Sequence, residues 1–188
     1  PLSRRNRPKQ LLYLCDSEQS MLDQAVARLK GPLTPNDIFI ATSSKLQQPI
    51  RAAVKEIPET NIIAEPCKRN TAGCICYTAA HLLAKYPDAE NHVTMGIVTA
   101  DHNIGDVSAF QEAFDSCMTA AEKNDAIVTI GIRPSRPATG YGYIEMRTGV
   151  ERAPGSTEQV PVFPVASFRE KPDEATAQMF ASQDSVLG

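Results

Sequence analysis

Short apolar runs alternate with amphipathic segments through the first two thirds of the chain. Four such runs are bounded by polar or turn-forming residues, at 38–42 (IFIAT), 61–64 (NIIA), 93–100 (VTMGIVTA) and 126–132 (AIVTIGI). We interpret each run as a buried strand, and the segments between them carry apolar residues at helical spacing. Strands that alternate with helices form a parallel sheet covered on both faces. The sequence therefore predicts an α/β fold with a mostly parallel sheet.

The predicted helices have recognisable starts. Ser20 is the predicted N-cap of the first helix, with Asp23 three residues later as its capping-box partner. Leu22, Ala25, Val26 and Leu29 then fall on one helical face. Three more helices are predicted, over 50–57 with Pro49 near its first turn, over 71–86, and over 107–121 with Asp106 as its N-cap.

From residue 133 onward the sequence pattern changes to turn-forming residues and runs in which apolar and polar residues alternate. A short helical stretch follows at 175–181. We interpret this part as an antiparallel extension of the α/β half. We therefore predict one domain over 1–188, made of two halves, 1–132 and 133–188.

Composition excludes several classes of protein. The chain has 188 residues, is 42% hydrophobic and carries a net charge of −3, so it has no global attraction to nucleic acid or anionic lipid. No apolar run approaches the roughly 20 residues that cross a bilayer. The five cysteines fit neither a disulfide framework nor a zinc site. Buried, reduced thiols in a cytoplasmic protein are the expectation.

Polar loops follow several of the apolar runs. In open α/β sheets, ligands bind beyond the carboxyl ends of the strands. EPCKRNT (65–71) follows the second run, Asp101-His102 follows the third, and REKP (169–172) follows the extended stretch VASF. Together with the basic opening PLSRRNRPKQ (1–10), these loops predict a site for a polyanion.

Asp101 is the candidate metal ligand. Magnesium typically takes one or two protein carboxylates and leaves the other positions to water and phosphate. The alternative is that Asp101 only caps the following turn, and its position favours neither. We interpret His102 as a hydrogen-bonding support, not as a catalyst.

Two lysines are placed to meet phosphate. Pro8 stiffens the chain before Lys9, and Lys171 lies between Glu170 and Pro172. A fixed ammonium suits phosphate as a point charge. The opening cations could instead form a solvated tail, and Glu170 with Lys171 could be an ordinary surface pair. Both can serve one ligand only where the strand ends or bends, and Pro172 favours an end there.

The segment Gly140-Tyr141-Gly142-Tyr143 is not a dinucleotide-binding loop. The third glycine of G-x-G-x-x-G is missing and no helix follows. A turn that lets backbone approach a ligand is the better interpretation.

Taken together, PLSRRNRPKQ, EPCKRNTAG, TADHNIGD, TGYGYI and FREKPD resemble the mannose-1-phosphate guanylyltransferase family, within the sugar-phosphate nucleotidyltransferases. The resemblance covers nearly the whole chain. It implies a Rossmann-like fold of the nucleotide-diphospho-sugar transferase type. It also implies a reaction in which the oxygen of mannose 1-phosphate attacks the α-phosphate of GTP in line and pyrophosphate leaves.

The resemblance implies a role for each candidate residue. Lys9 would bind the nucleotide phosphates, with the base read near Arg69, Asn70 and Thr71, and Asp101 would hold Mg²⁺. On the sugar side the implied residues are Gly140, Tyr141 and Gly142 along the sugar, Glu170 on its hydroxyls and Lys171 on its phosphate. Lys9, Asp101 and Lys171 would be the catalytic groups. The two halves divided at residue 132 would bind nucleotide and sugar phosphate respectively.

The implied partners are GTP and mannose 1-phosphate, with a homodimer left open. In the family a Gly-rich loop precedes PLSR, and an Asn-Ser-Gly segment with a second metal-binding aspartate follows EKPD. We therefore expect this chain to be cut at both ends and doubt its activity alone. Two alternatives stay open: a sister nucleotidyltransferase with another base or sugar, and a non-catalytic sugar-nucleotide sensor.

Overall fold

The computed structural model describes residues 11–13, 18–67, 69–89 and 93–188. The chain divides into two compact units, Pro1–Gln111 and Glu112–Gly188. The division falls inside one helix, α4. In chain order the helices and strands are α1 Met21–Ala27, β1 Ile40–Ser43, α2 Ser44–Ala53, β2 Ile62–Glu65, α3 Asn70–Lys85, α4 Val107–Asn124, β3 Gly142–Met146, β4 Val165–Glu170, α5 Glu174–Ala181 and β5 Val186–Leu187.

Helix α1 begins at the predicted capping box. The Asp23 amide donates to Ser20 Oγ at 3.2 Å, and the Ser20 amide donates to Asp23 Oδ2 at 3.0 Å. Two of the amides left over at the helix start are satisfied in this way. The apolar face that the spacing predicts is buried and consists of Leu22, Ala25, Val26 and Leu29, and Met21 is buried as well.

Strands β1 and β2 form the parallel pair of the first unit. Ile40 lies opposite Ile62 and Ser43 opposite Glu65, so the two strands end at the same edge. Helix α2 connects them, and Gln47 Nε2 donates to the Ile62 carbonyl at 2.8 Å. The prediction of a helix over 50–57 is wrong in its bounds. The helix begins directly after β1, at Ser44, and Pro49 lies inside it.

Asn61 fixes the start of β2. Its side chain is only 1% exposed. Its Nδ2 donates to the carbonyls of Asn36 at 2.8 Å and Ile38 at 3.1 Å, and its Oδ1 accepts from Lys85 Nζ at 2.6 Å. A buried amide satisfied on both sides ties three segments together. The end of α3 is thereby held against the parallel pair.

Helices α3 and α4 confirm the sequence prediction. Helix α3 starts and ends one residue before the predicted range, and α4 begins at the predicted Val107. Asp106 caps α4, since its Oδ1 accepts from the Ala109 amide at 2.9 Å. Among the helices in the described part of the chain, none combines the length and apolarity that a bilayer crossing requires.

The predicted strands over 93–100 and 126–132 are not formed among the described residues. Apolar side chains within them are exposed, including Val93, Ile97 and Ile127. A strand needs a partner ladder as well as apolar residues. The backbone of Ile132 exchanges hydrogen bonds with Gly188 at 2.9 and 2.7 Å, which is a single antiparallel pair. In the segment 93–100, the Thr99 carbonyl accepts a hydrogen bond from the Arg28 side chain and not from a neighbouring strand.

The second unit contains the antiparallel extension that the sequence predicts. Its three strands run in the order β4-β3-β5, with Gly142 opposite Glu170 and Ile144 opposite both Phe168 and Leu187. Helix α5 covers one face of this sheet. The core between them is formed by Tyr143, Ala177, Phe180 and Val186.

Candidate functional site

The predicted sugar-phosphate residues meet at one end of the β3–β4 pair. Gly142 opens β3 directly opposite Glu170, the last residue of β4. A Cβ on Gly142 would lie 3.1 Å from Glu170 Oε2, so the carboxylate lies against the bare glycine backbone. The Lys171 amide donates to the Tyr141 carbonyl at 3.2 Å. Four of the five predicted residues therefore share one corner of the second unit.

Lys171 adopts a left-handed backbone conformation at this corner. Its φ is +43°, in the region that residues with a side chain rarely occupy. Because β4 ends at Glu170, the two side chains can turn toward each other, and Lys171 Nζ lies 3.0 Å from Glu170 Oε1. Both side chains are mostly exposed, so the pair itself is worth little and a ligand can reach both charges. The predicted strand end before Pro172 is confirmed.

Tyr143 closes the loop that contains Gly140 and Tyr141. Its hydroxyl accepts from the Ala138 amide and donates to the Ala138 carbonyl. The ring is 2% exposed, whereas Tyr141 is 64% exposed. Sequence reasoning did not select Tyr143. The signal was available, because a tyrosine buried in a strand needs a partner for its hydroxyl.

A groove of about 660 Å³ runs along edge strand β4 beside helix α5. Its lining combines charged groups with apolar side chains: Glu145, Phe168, Arg169, Glu170, Pro172, Asp173, Thr176, Met179, Phe180 and Gln183. Hydrogen bonds from Thr176 lower the pKa of Asp173 and keep it a carboxylate. Glu145 accepts from Ser167 Oγ at 2.8 Å. Glu170 therefore belongs both to this groove and to the Lys171 corner.

The predicted base-reading residues lie at the amino end of α3. Arg69, Asn70 and Thr71 are exposed and come shortly after β2. Because β1 and β2 are parallel, these residues follow the carboxyl end of the pair, where ligands of open sheets bind. A helix amino terminus also favours negative charge. Gly73 lies close beneath Arg69, since a Cβ there would be 2.4 Å from Arg69 Cβ.

Asp101 lies half-buried on a turn held by Arg28. The Arg28 guanidinium donates from Nη2 to the Thr99 carbonyl at 3.0 Å and from Nη1 to the His102 carbonyl at 2.9 Å. The two acceptors flank Asp101 in sequence. For His102, it is the backbone carbonyl that accepts a hydrogen bond here. Sequence reasoning missed Arg28, although its place three residues after Ala25 puts it beside the apolar face of α1.

Asp101 is the one predicted metal ligand in the described residues. That part of the chain contains no group of three or more His, Cys, Asp or Glu that could hold a metal ion. A single carboxylate nevertheless fits Mg²⁺, which takes few protein ligands. Lys9 lies outside the described residues.

The cysteines of the described residues carry free thiols: Cys67, Cys74, Cys76 and Cys117. Burial, together with Glu65, raises the pKa of Cys74, and burial raises the pKa of Cys117. A raised pKa suppresses the reactive thiolate. The prediction of buried thiols is wrong for these cysteines. Cys67 and Cys76 are exposed and Cys74 and Cys117 are half-buried, and helix α3, which carries Cys74 and Cys76, has no fully buried residue.

The family model described as Nucleotidyl transferase matches residues 1–184. The chain belongs to the nucleotidyl transferase family. This confirms the resemblance that the sequence motifs indicate.

Curated relatives of this nucleotidyltransferase chain carry the name mannose-1-phosphate guanylyltransferase. The protein of that name from Escherichia coli K12 is 38% identical over 185 residues, which is 97% of this chain and 37% of the relative. Another from Escherichia coli is 35% identical over 187 residues, or 98% of this chain and 38% of the relative. The alginate biosynthesis protein AlgA of Pseudomonas aeruginosa is 35% identical over 97% of this chain and 36% of its own length. The chain thus spans well under half of these relatives.

Two solved structures share the fold. Mannose-1-phosphate geranyltransferase from Thermus thermophilus superposes with a TM-score of 0.76 at 28% identity, over 100% of this chain and 50% of that one. Mannose-6-phosphate isomerase from Helicobacter pylori gives a TM-score of 0.71 at 22% identity, over 97% of this chain and 63% of that one, and shows the fold alone. The predicted fold class is confirmed by both.

Proposed function

We propose that this nucleotidyltransferase chain supplies the substrate-binding core of an enzyme that makes GDP-mannose and pyrophosphate from GTP and mannose 1-phosphate. The observation that supports this most is the corner where Gly142, Glu170 and Lys171 meet. A carboxylate and an ammonium 3.0 Å apart, beside a bare glycine, suit a ligand that carries both hydroxyls and phosphate. The names of the relatives supply the particular sugar and nucleotide.

On the sugar side, each group has a distinct task. Glu170 accepts hydrogen bonds from the sugar hydroxyls, and Lys171 binds the phosphate. Gly140, Tyr141 and Gly142 line the sugar, because the missing side chains at the two glycines let the ligand approach the backbone. The left-handed turn at Lys171 holds both charges on one side of the strand end.

On the nucleotide side, Arg69, Asn70 and Thr71 read the base and Lys9 binds the phosphates. Asp101 holds Mg²⁺, which when bound offsets the negative charge of the nucleotide phosphates. The reaction needs no protein nucleophile, because the sugar phosphate oxygen is itself the attacking group. What the chain contributes is the placement of two anions and the neutralisation of their charge.

The compartment and the assembly follow as further proposals. Free thiols are typical of reducing compartments, so we propose that the enzyme works in the cytoplasm. The homodimer that the sequence left open stays a prediction.

A turnover panel tests the proposal. The full-length protein that contains this chain is purified and assayed for pyrophosphate release with GTP, ATP, UTP and dTTP against mannose 1-phosphate and glucose 1-phosphate, with and without Mg²⁺. We expect GTP with mannose 1-phosphate to give the highest kcat/KM, and only with Mg²⁺. Faster turnover with UTP or dTTP would instead indicate a sister nucleotidyltransferase. Binding of GDP-mannose without turnover would indicate a sensor.

A further inference from the structure

Arg28 connects the end of α1 to the turn that carries Asp101, more than 70 residues further along the chain. The separation is 71 residues to Thr99 and 74 to His102. Both Nη atoms are used, one on each of the carbonyls that flank Asp101. A planar guanidinium that donates to two carbonyls fixes their direction as well as their distance. The position of the Asp101 backbone is therefore set from α1.

This arginine is buried, although a buried cation is costly. Its side chain is 4% exposed, and burial lowers its pKa. Its Nε is buried without a hydrogen-bond partner among the described residues. An apolar side chain at this place on the α1 face would avoid the desolvation cost. The arginine is thus explained by its two hydrogen bonds better than by packing.

The surroundings of Arg28 hold it in place. Gln111 Nε2 donates to the Arg28 and Lys30 carbonyls, both at 3.0 Å. The guanidinium carbon lies 5.7 Å from the centroid of the Phe110 ring, within cation–π range. Backbone and side chain are therefore both fixed before any ligand binds.

We propose that Arg28 is a positioning residue for the metal-binding turn, which holds Asp101 in place to receive the Mg²⁺–nucleotide. This rests on the proposed function, in which Asp101 is the metal ligand. Arg28 touches neither the metal nor the substrate in this role. Its loss should change the response to Mg²⁺ far more than the response to sugar phosphate.

The test uses three variants of the purified full-length protein that contains this chain. Arg28→Met keeps the length and apolar contact of the side chain and removes both hydrogen bonds. Arg28→Lys keeps the charge, but its single nitrogen replaces the two separate donor nitrogens of the planar guanidinium. Arg51→Met is the matched control. Arg51 is on α2 in the same unit, its Nη2 donates to the Glu59 carbonyl at 3.3 Å, and its Nε is also buried without a partner among the described residues.

Two readouts are taken for each variant. Amide hydrogen exchange over residues 99–103 reports whether the turn is held. The Mg²⁺ concentration for half-maximal turnover reports whether Asp101 is in place, with the KM for mannose 1-phosphate measured alongside.

For Arg28→Met we expect faster exchange over 99–103. We also expect a rise of about tenfold in the half-saturating Mg²⁺ concentration, because only part of the effect of losing the two hydrogen bonds reaches Asp101. The KM for mannose 1-phosphate should change less than about twofold, and Arg28→Lys should recover part of the Mg²⁺ response. Arg51→Met should leave both readouts unchanged.

Unchanged exchange over 99–103 in Arg28→Met would overturn the proposal, as would an equal rise in the Arg51→Met control. If Arg28→Met does not fold, the same two readouts on Arg28→Lys decide. If the unchanged protein depends on Mg²⁺ and Arg28→Met has the same half-saturating Mg²⁺ concentration, the positioning role of Arg28 is refuted and the proposed function stands. If the turnover of the unchanged protein does not depend on Mg²⁺, the proposed function is refuted, and the positioning role of Arg28 is refuted with it.

Discussion

The hydroxyl of Tyr143 exchanges two hydrogen bonds with the backbone of Ala138. It accepts from the amide at 2.8 Å and donates to the carbonyl at 3.1 Å. The ring centroid lies 5.4 Å from that of Phe180 in the core of the second unit. The residues between 138 and 143 form the loop with Gly140 and Tyr141. One buried side chain therefore joins the proposed sugar loop to the core.

Replacing Tyr143 with phenylalanine should loosen this loop and lower stability. The ring packing on Phe180 is kept, while the amide and carbonyl of Ala138 lose a buried partner. We expect the free energy of unfolding to fall by about 1–3 kcal/mol, measured by urea denaturation. Tyr141→Phe is the control, because that side chain is exposed, and its effect should stay within about 0.5 kcal/mol. Equal effects of the two changes would contradict the assignment.

Gly142→Ala should weaken sugar phosphate binding without harming the fold. Its φ is not in the left-handed region, so alanine fits the backbone. The new Cβ would lie 3.1 Å from Glu170 Oε2 and push the carboxylate aside. We expect a severalfold higher KM for mannose 1-phosphate and an unchanged urea midpoint. Gly105→Ala is the control, because Gly105 is not one of the sugar-side residues and its added carbon meets nothing within 4 Å, so the KM should stay unchanged. A normal KM in Gly142→Ala would remove Glu170 from the sugar site.

Lys171→Ala should weaken the binding of mannose 1-phosphate much more than the binding of GTP. Loss of the ammonium removes a charge-assisted hydrogen bond to phosphate, so the KM for mannose 1-phosphate should rise about tenfold or more. The KM for GTP should change less than about twofold. Lys30→Ala is the matched control, since Lys30 also pairs with an exposed glutamate, Glu56, at 2.5 Å. An equal loss for both substrates would refute the assignment of Lys171 to the phosphate of the sugar.

Features set within one turn of chain could be predicted from the sequence. The cap of α1 by Ser20 and Asp23 and the cap of α4 by Asp106 are examples. Each joins residues three apart, so spacing and side-chain chemistry suffice. The strand end before Pro172 is of the same kind, because proline lacks the amide that a ladder needs.

Features that depend on distant partners could not be predicted. The runs 93–100 and 126–132 have strand composition, yet composition does not say whether a neighbouring strand is available. The two acceptors of Arg28 lie more than 70 residues away. The site shows both cases, because Glu170 and Lys171 are neighbours in sequence whereas Gly142 reaches them only through the register of β3 on β4.

Asp101→Asn should abolish most Mg²⁺-dependent turnover and leave the fold intact. The amide keeps the size of the side chain but loses the negative charge that a hard divalent cation requires. Circular dichroism checks the fold, and pyrophosphate release over a Mg²⁺ titration measures the loss. Asp106→Asn is the control, because asparagine caps a helix about as well as aspartate. Near-normal turnover of Asp101→Asn would place the metal on other residues.

Gly73→Ala should weaken nucleotide binding although it adds a good helix former. Gly73 is the fourth residue of α3, and within an α-helix alanine is favoured over glycine by about 0.5–1 kcal/mol. The new Cβ would lie 2.4 Å from Arg69 Cβ, which no real contact tolerates. Because that atom is fixed to the backbone, the start of α3 must shift and carry Arg69 with it. We therefore expect the KM for GTP to rise more than the KM for mannose 1-phosphate. Gly105→Ala meets nothing within 4 Å and serves as the control. A Gly73→Ala protein that is more stable and binds GTP normally would show that Arg69 does not touch the nucleotide.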